Sequence, residues 1–167
     1  MEVTWSLSNL SSGTTEQTKE LVDNEAIPAL VKLLGSTYNS DVKLQAVWTL
    51  GNIAGDNVEY RNSIIQAGVM SHVIRATEEA IFEGNTHMIK QGSWVLAILC
   101  KQKNIPVYRD IQNAISVLTK LLIRGQEDEE ILVDALWAVF NLSDGDFERI
   151  QLVIDTEIAS FLVKLMQ

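Results

Sequence analysis

The sequence predicts an all-α solenoid in which equivalent helices stack along the chain. The four tryptophans, Trp5, Trp48, Trp94 and Trp137, follow one another at intervals of 43, 46 and 43 residues. That is the period of α-solenoids built from repeats of about 40–47 residues. Three of the tryptophans are followed four residues later by an asparagine, so an indole and a carboxamide share one helix face. The repeated pair predicts a surface of stacked indoles and carboxamides.

Each repeat is predicted to contain three helices. One carries the tryptophan, and another is a short polar segment between the tryptophan helix and the apolar helix, as at 14–23 and 56–65, which is interpreted as the brief first helix of a repeat. The third is amphipathic, because its apolar residues recur at helical spacing. These apolar helices are predicted at 25–34, 67–76, 113–122 and 157–166.

Glycines and prolines mark the predicted helix ends. Gly13, Gly55 and Gly145 are expected to end tryptophan helices as C-caps. Pro28 suits the first turn of its helix, where a missing N–H costs little, and Pro106 marks the break after the third tryptophan helix.

The chain is expected to be one solenoid domain, 1–167, divided before each tryptophan helix. The segments are a partial first repeat at 1–36, a second at 37–81, a third at 82–124 and a fourth, incomplete at its C-terminus, at 125–167.

Neither end of the sequence has the polar capping repeat that solenoids usually need. We therefore expect the chain to be a fragment or a truncated product, although Met1 leaves a natural start open. Its ends are expected to self-associate or fray. The apolar residues that they would expose are Val3, Leu7, Phe161 and Leu165.

Composition limits the class of partner and of compartment. Thirteen basic and 22 acidic residues give a net charge of −9, which argues against nucleic acid and favours a cationic partner such as a basic peptide. The single cysteine, Cys100, cannot form an internal disulfide, which indicates a reducing compartment. No apolar run approaches the ~20 residues that span a bilayer, so no membrane partner is expected.

The sequence offers nothing for catalysis, so we expect no enzyme, no metal and no cofactor. His72 and His87 are isolated, and Cys100 follows an apolar helix without a nearby histidine. No phosphate-binding glycine loop or paired metal-ligand spacing occurs.

The indoles and carboxamides together suit an extended basic peptide. Lysine and arginine stems can lie between neighbouring indoles, where each cation–π contact contributes about 0.5–2 kcal/mol. Asn9, Asn52 and Asn141 can bond the main chain of the peptide whatever its sequence. Acidic groups near the tryptophans would attract the cationic tips; they are Asp56, Asp134 and Asp144.

Tryptophans at helical spacing can instead be ordinary core residues, as a lone tryptophan usually is. The helix of Trp48, however, already has a separate apolar stripe, and a core seldom needs a recurring asparagine. Exposure of the pairs is therefore the favoured interpretation. For the three aspartates taken singly, solvated helix ends are an equal alternative.

Three segments resemble the armadillo repeats of importin α, the receptor for nuclear localisation signals: AVWTLGNIAGD at 46–56, TWSLSNLSSGTTEQTK at 4–19 and DALWAVFNLSDG at 134–145. The resemblance covers essentially the whole chain and matches the region of the major signal site. It implies a right-handed solenoid of about three to four armadillo repeats, each of three helices. It also implies a nuclear import adaptor of the cytoplasm and nucleus that binds lysine- and arginine-rich signals.

The resemblance adds residues that the pattern alone does not single out. In the family one deep lysine pocket combines a glycine carbonyl, a threonine hydroxyl and an aspartate, which fall here on Gly13, Thr18 and Asp56. Ile98 replaces the asparagine that follows the third family tryptophan. Gln91 stands where the family has another asparagine and could partly substitute for the missing one.

The complete predicted peptide-binding set is Trp5, Asn9, Gly13, Thr18, Trp48, Asn52, Asp56, Gln91, Trp94, Asp134, Trp137 and Asn141. The resemblance supports the binding role of Asn141 less strongly, because the family often has tyrosine at its position. Importin β is expected as a partner only if a basic N-terminal segment exists outside this chain. The alternative is a generic armadillo or HEAT scaffold, or a truncated paralogue, that has lost signal binding.

Overall fold

The computed structural model describes residues 2–36, 40–101 and 108–167, and these are helical with no strand among them. Its eleven α-helices are α1 Glu2–Ser11, α2 Thr15–Asp23, α3 Ala26–Leu34, α4 Ser40–Asp56, α5 Val58–Gln66, α6 Val69–Glu83, α7 Thr86–Cys100, α8 Tyr108–Arg124, α9 Glu129–Ser143, α10 Phe147–Ile154 and α11 Ile158–Leu165. A short 3-10 turn, Gly125–Glu127, precedes α9. No helix in the described ranges is long and apolar enough to cross a membrane.

The helices form two layers of a solenoid. The four tryptophan helices α1, α4, α7 and α9 contact one another in chain order and make one layer. Behind them, α6 and α8 contact each other and pack on α7 and α9. Both layers contribute fully buried leucines to one core, among them Leu50 and Leu96 from the first layer and Leu118 from the second. The predicted all-α solenoid is confirmed.

Most predicted elements are found, and two of them differ in length. The apolar helix expected at 67–76 is α6, which continues to Glu83 and ends at Gly84, whose φ of 73° is a left-handed C-cap. The helix expected at 113–122 is α8, which already begins at Tyr108. Pro106 and the short polar helix expected in the third repeat lie outside the described residues.

Gly55 does not end its helix as expected, because α4 continues through it to Asp56. Its Cβ position is open, so the glycine is required neither for a turn nor for a close approach. The expected division at 81/82 lies inside α6, and a division after Glu83 would keep that helix whole. The repeat boundaries remain a prediction.

The two ends of the solenoid differ from the expectation in part. Val3 and Leu165 are exposed, as the sequence indicates. Leu7 and Phe161, in contrast, are partly buried and pack against the core.

Two arginines, the half-buried Arg61 and the buried Arg149, tie the short helices to the tryptophan helices. Arg61 of α5 donates from Nη1 to the carbonyl oxygen of Ala54 at 3.0 Å, in the last turn of α4. Arg149 of α10 donates from Nη2 to the carbonyl oxygens of Cys100 and Asn141, each at 3.4 Å. Because the last carbonyls of a helix have no partner within it and carry partial negative charge, these guanidinium groups cap α4, α7 and α9.

A glycine sets the spacing between the second and third tryptophan helices. A Cβ at Gly51 of α4 would lie 2.4 Å from Cζ3 of Trp94 and 2.6 Å from Cγ2 of Val95. The indole of Trp94 therefore rests directly on the backbone of α4, and only glycine leaves room for it.

We expect Gly51→Ala to lower the free energy of unfolding by about 1–2 kcal/mol, because the overpacking outweighs the better helix propensity of alanine. Gly55→Ala is the matched control on the same helix. Its Cβ would meet nothing closer than Cδ1 of Ile98 at 3.8 Å, so it should raise the free energy of unfolding by up to about 1 kcal/mol. Urea unfolding of the two variants measures both values. Equal stabilisation by both would contradict the close contact.

Candidate peptide-binding groove

The indoles of the tryptophan layer are largely open to solvent. Trp5, Trp48 and Trp137 are 58%, 38% and 54% exposed, while Trp94 is partly buried and packs against the core. Ordinary core residues would be covered on all sides. The exposed indoles of α1, α4 and α9 therefore face solvent in one layer of adjacent helices.

Two adjoining depressions lie between these indoles, each with a volume of about 260 Å³. They share Trp94 and Asp134, so together they form one groove across α4, α7 and α9. The first depression is lined by Trp48, Lys90, Gln91, Trp94, Glu130 and Asp134. The second depression is lined by Trp94, Ala97, Ile98, Lys101, Asp134 and Trp137.

Two of the three predicted asparagines also join neighbouring repeats. Nδ2 of Asn52 donates to Oγ of Ser11 at 3.2 Å, from α4 to α1. Nδ2 of Asn141 donates to the carbonyl oxygen of Ala97 at 3.3 Å, from α9 to α7. Asn9 is exposed. Since a carboxamide has two N–H donors and an acceptor oxygen, each asparagine retains polar capacity beyond its internal bond.

Asp56 lies at the end of α4, beside the start of α2. Its Oδ1 accepts a hydrogen bond from Oγ1 of Thr15 at 3.0 Å, and its Oδ2 accepts one from Nδ2 of Asn57 at 3.1 Å. Thr15 was not among the predicted residues. The sequence does contain a signal for Thr15. This residue lies 41 positions before Asp56, and the same separation joins Ser11 and Asn52, which are also hydrogen-bonded.

The other two residues of the expected lysine pocket lie at the start of α2. Gly13 is exposed between α1 and α2, and a Cβ on it would lie 1.9 Å from Oε1 of Gln17. That oxygen accepts from the N–H of Thr14 and completes a capping box at the start of α2. Thr18 is only 1% exposed, so it can form the floor of a pocket and not its rim.

Thr18 occupies the position that holds an arginine in the next short helix. It follows the N-cap residue Thr14 of α2 by four residues, as Arg61 follows the N-cap residue Asn57 of α5. Arg61 reaches the last turn of the preceding tryptophan helix. A threonine is too short to do so. A cation from outside could therefore take the equivalent position at the end of α1.

Asp134 is the carboxylate that both depressions share. Burial raises its pKa to about 6, and the hydrogen bond from Oγ of Ser93, 3.3 Å from Oδ2, opposes that rise. Near neutral pH the side chain is therefore mostly ionised, and it offers a partly desolvated negative charge between Trp94 and Trp137. An ammonium or guanidinium group would find stronger attraction there than at a fully solvated carboxylate.

Lys90 is a groove residue that the sequence analysis missed. Its Nζ lies 2.7 Å from Oε2 of Glu130 and 3.1 Å from Oδ2 of Asp128, so it ties α7 to the start of α9. The hydrogen bond to Glu130 is the main reason that the pKa of Lys90 is raised. Glu130, an acidic group of the groove, and Asp128 beside it are thus already paired within the protein.

The aromatic surface continues past Trp137. The ring of Phe140, 58% exposed, meets that of Trp137 at a right angle with the centroids 5.6 Å apart. Phe140 was not predicted either, because it lies outside the tryptophan and asparagine pattern.

The described residues hold no cluster of histidine, cysteine, aspartate or glutamate suited to a metal ion. Cys100 is buried, and its burial raises the pKa of the thiol to about 12. A thiol that stays protonated at neutral pH is a poor nucleophile.

Comparison with known proteins agrees with this geometry. Residues 14–55, which span α2 to α4, match the family model of the armadillo/β-catenin-like repeat. The chain is 37% identical over 165 residues to importin subunit alpha-1b of Oryza sativa subsp. japonica, covering 99% of the chain and 30% of that protein. It is 36% identical over 166 residues to importin subunit alpha-2 of Arabidopsis thaliana, with the same coverage of 99% and 30%. The chain thus spans about 30% of the length of these curated relatives.

A solved structure is similar in three dimensions. It is a designed armadillo repeat protein in complex with the peptide (KR)4, with a TM-score of 0.82 and 33% identity. The match covers 99% of this chain and 66% of the designed one.

The raised pKa of Asp134 makes the stability depend on pH in a defined direction. The ordinary aspartate value of 3.8 rises to about 6 in the fold, so the folded state holds this proton more tightly than the unfolded state does. The stabilisation is complete below about pH 4 and is lost as pH rises through about 6. Asp134→Asn cannot ionise and escapes this loss.

We therefore expect the free energy of unfolding of Asp134→Asn, relative to the unmodified protein, to increase between pH 4 and 6 and to level off above. Urea unfolding of both proteins at several pH values measures it. A difference that stays constant from pH 4 to 7 would contradict the raised pKa.

Proposed function

Because this chain is an armadillo-repeat protein related along its whole length to importin α subunits, we propose that it binds basic nuclear localisation signals. The signal would lie as an extended peptide across α1, α4, α7 and α9. The observation that carries the proposal is the row of exposed indoles with carboxylates between them. The net charge of −9 supports a cationic ligand.

The spacing of the tryptophan helices suits an extended chain. Packed helices lie about 8–10 Å apart, and a peptide advances about 3.3 Å per residue, so every second or third side chain would meet the next indole. A lysine or arginine stem then packs on the ring faces while its charged tip remains near a carboxylate. The free N–H groups and oxygens of Asn9, Asn52 and Asn141 would hold the peptide main chain.

The missing arginine in α2 supports a specific lysine position. In the next repeat, Arg61 donates to the last turn of α4. At the equivalent place Thr18 supplies no such donor. In the last turn of α1 the carbonyl oxygens of Ser8, Asn9 and Leu10 accept bonds from Ser11, Ser12 and Gly13, which leaves the carbonyl oxygen of Ser11 for a ligand. A ligand lysine can supply that donor, with Asp56 close enough to α2 to bond Thr15 and to act as its counter-ion.

The proposal places the chain in nuclear import as the cargo-binding part of an adaptor, found in both cytoplasm and nucleus. Its partners would be cargo proteins with lysine- and arginine-rich signals. Importin β would be a partner only through a basic segment outside this chain.

One observation favours a second candidate, a protein-interaction scaffold without signal binding. Asn52 and Asn141 already donate hydrogen bonds to α1 and α7, and Ile98 supplies no polar group. In this candidate the asparagines would serve the contacts between repeats, and the groove would show no preference for basic peptides.

The peptide (KR)4 distinguishes the two candidates. Every tryptophan of the chain lies in the tryptophan layer, so binding should change the intrinsic fluorescence, and anisotropy of a labelled peptide gives the affinity. We expect micromolar or tighter binding that weakens with salt, and a large loss when the lysines of the peptide are changed to threonine. Equal weak binding of both peptides would favour the scaffold.

We expect Asp56→Lys to weaken binding of (KR)4 by at least about tenfold, because it replaces the counter-ion of the lysine position with a like charge. Glu83→Lys is the matched control. It makes the same charge change at the exposed end of α6, outside the tryptophan layer, and should leave the affinity within about twofold of the unmodified protein. Equal losses in both variants would mean that only the overall negative charge attracts the peptide.

A further inference from the structure

The two halves of the groove differ in chemistry. The first depression has acidic and amide groups around Trp48 and Trp94, with Gln91 and Glu130 among them, and the lysine in its lining, Lys90, is paired with Glu130. The second is lined chiefly by the apolar side chains of Trp94, Ala97, Ile98 and Trp137. Its polar lining consists of Lys101 and the shared Asp134.

Ile98 removes the polar group that the neighbouring repeats have at the same place. It follows Trp94 by four residues, as Asn52 follows Trp48 and Asn141 follows Trp137. Ile98 is 6% exposed, so it is part of the wall of the depression and also part of the core. A ligand cannot form a hydrogen bond with this side chain, but it can bury apolar surface against it.

Lys101 makes the second depression unfavourable for a lysine or arginine. It follows the last residue of α7, and its side chain is exposed at the rim of the depression. A cationic ligand side chain entering here would meet a like charge. The one carboxylate of the depression, Asp134, also faces the first depression, so a single cation there can neutralise it.

We propose that the second depression binds an aliphatic side chain of the peptide, so that this protein prefers a basic sequence interrupted by one apolar residue. The inference rests on the proposed function, because it assigns a residue class to one subsite of the same groove. The exposed face of Trp137, extended by Phe140, gives the aliphatic side chain apolar surface beyond Ile98. In this depression, burial of apolar surface supplies the binding free energy. Elsewhere in the groove, a cation gains it from a counter-ion.

The test measures the affinity of (KR)4 and of its eight single-leucine variants by anisotropy. At least one leucine variant should bind about threefold tighter or more, although it has lost a positive charge. Single-glutamate variants are the comparison for an acidic side chain attracted by Lys101. The inference is overturned if every leucine variant binds more weakly than (KR)4, or if a glutamate variant binds best.

Lys101→Glu tests whether the positive charge of Lys101 causes the preference for leucine. The exposed substitution converts the rim to a negative charge, so the advantage of leucine should disappear and (KR)4 should bind more tightly than before. Lys32→Glu, the same charge change at an exposed site on α3, should keep the preference for leucine. An advantage of leucine that survives Lys101→Glu, or that is lost equally in Lys32→Glu, would overturn the assignment to this depression.

The two proposals fail separately. Binding of (KR)4 that depends on Asp56 but shows no gain from leucine leaves nuclear-signal binding intact and removes the apolar subsite. Absence of binding for (KR)4 and for all its variants removes both.

Discussion

The structure depends on the stacking of each tryptophan helix upon the next. A single helical repeat cannot bury its own apolar face, so its stability comes from its neighbours. Here the contact between the second and third repeats is tight enough that Gly51 admits no Cβ beneath the ring of Trp94. Polar bonds between α1 and α4 reinforce the register, since Oγ of Ser8 lies 2.8 Å from Oγ1 of Thr49 and both are buried. The same stacking fixes the spacing of the indoles on the outer side of the layer.

One constraint thus serves both stability and binding. The side chains that tie repeats together, Asn52, Asn141 and Lys90, also line the surface or lie beside it. A ligand would not need to break these contacts, because each carboxamide has further hydrogen-bonding groups. The paired Lys90 lowers the negative charge available in the first depression, so Asp134 becomes the principal carboxylate there. Charge within the groove is therefore distributed unevenly, and this supports unequal subsites.

Much of the fold was predictable because the tryptophans and the apolar blocks recur at the period of the repeat. The tryptophan intervals and the apolar blocks located all four tryptophan helices and all four apolar helices. The extension of α6 to Glu83 could not be predicted from the apolar block at 67–76, because a left-handed glycine at 84 ends it only after two more turns. The internal bonds of the asparagines and the role of Lys90 depend on which residues meet 40 to 44 positions away. The periodicity within one helix does not indicate which residues of neighbouring repeats will meet. Thr15 shows that a fixed 41-residue separation could have revealed one of them.

We propose that the tryptophan layer is the face that meets a basic peptide, and indole resonances test this directly. The four indole N–H groups give four signals in a ¹⁵N–¹H correlation spectrum, which single Trp→Phe variants assign. On titration with (KR)4, the signals of Trp48, Trp94 and Trp137 should shift together and saturate with one affinity, because these three indoles line the adjoining depressions. Shifts confined to backbone amides of α6 and α8, in the layer behind the tryptophan helices, with all four indole signals unchanged, would show that the peptide binds another face.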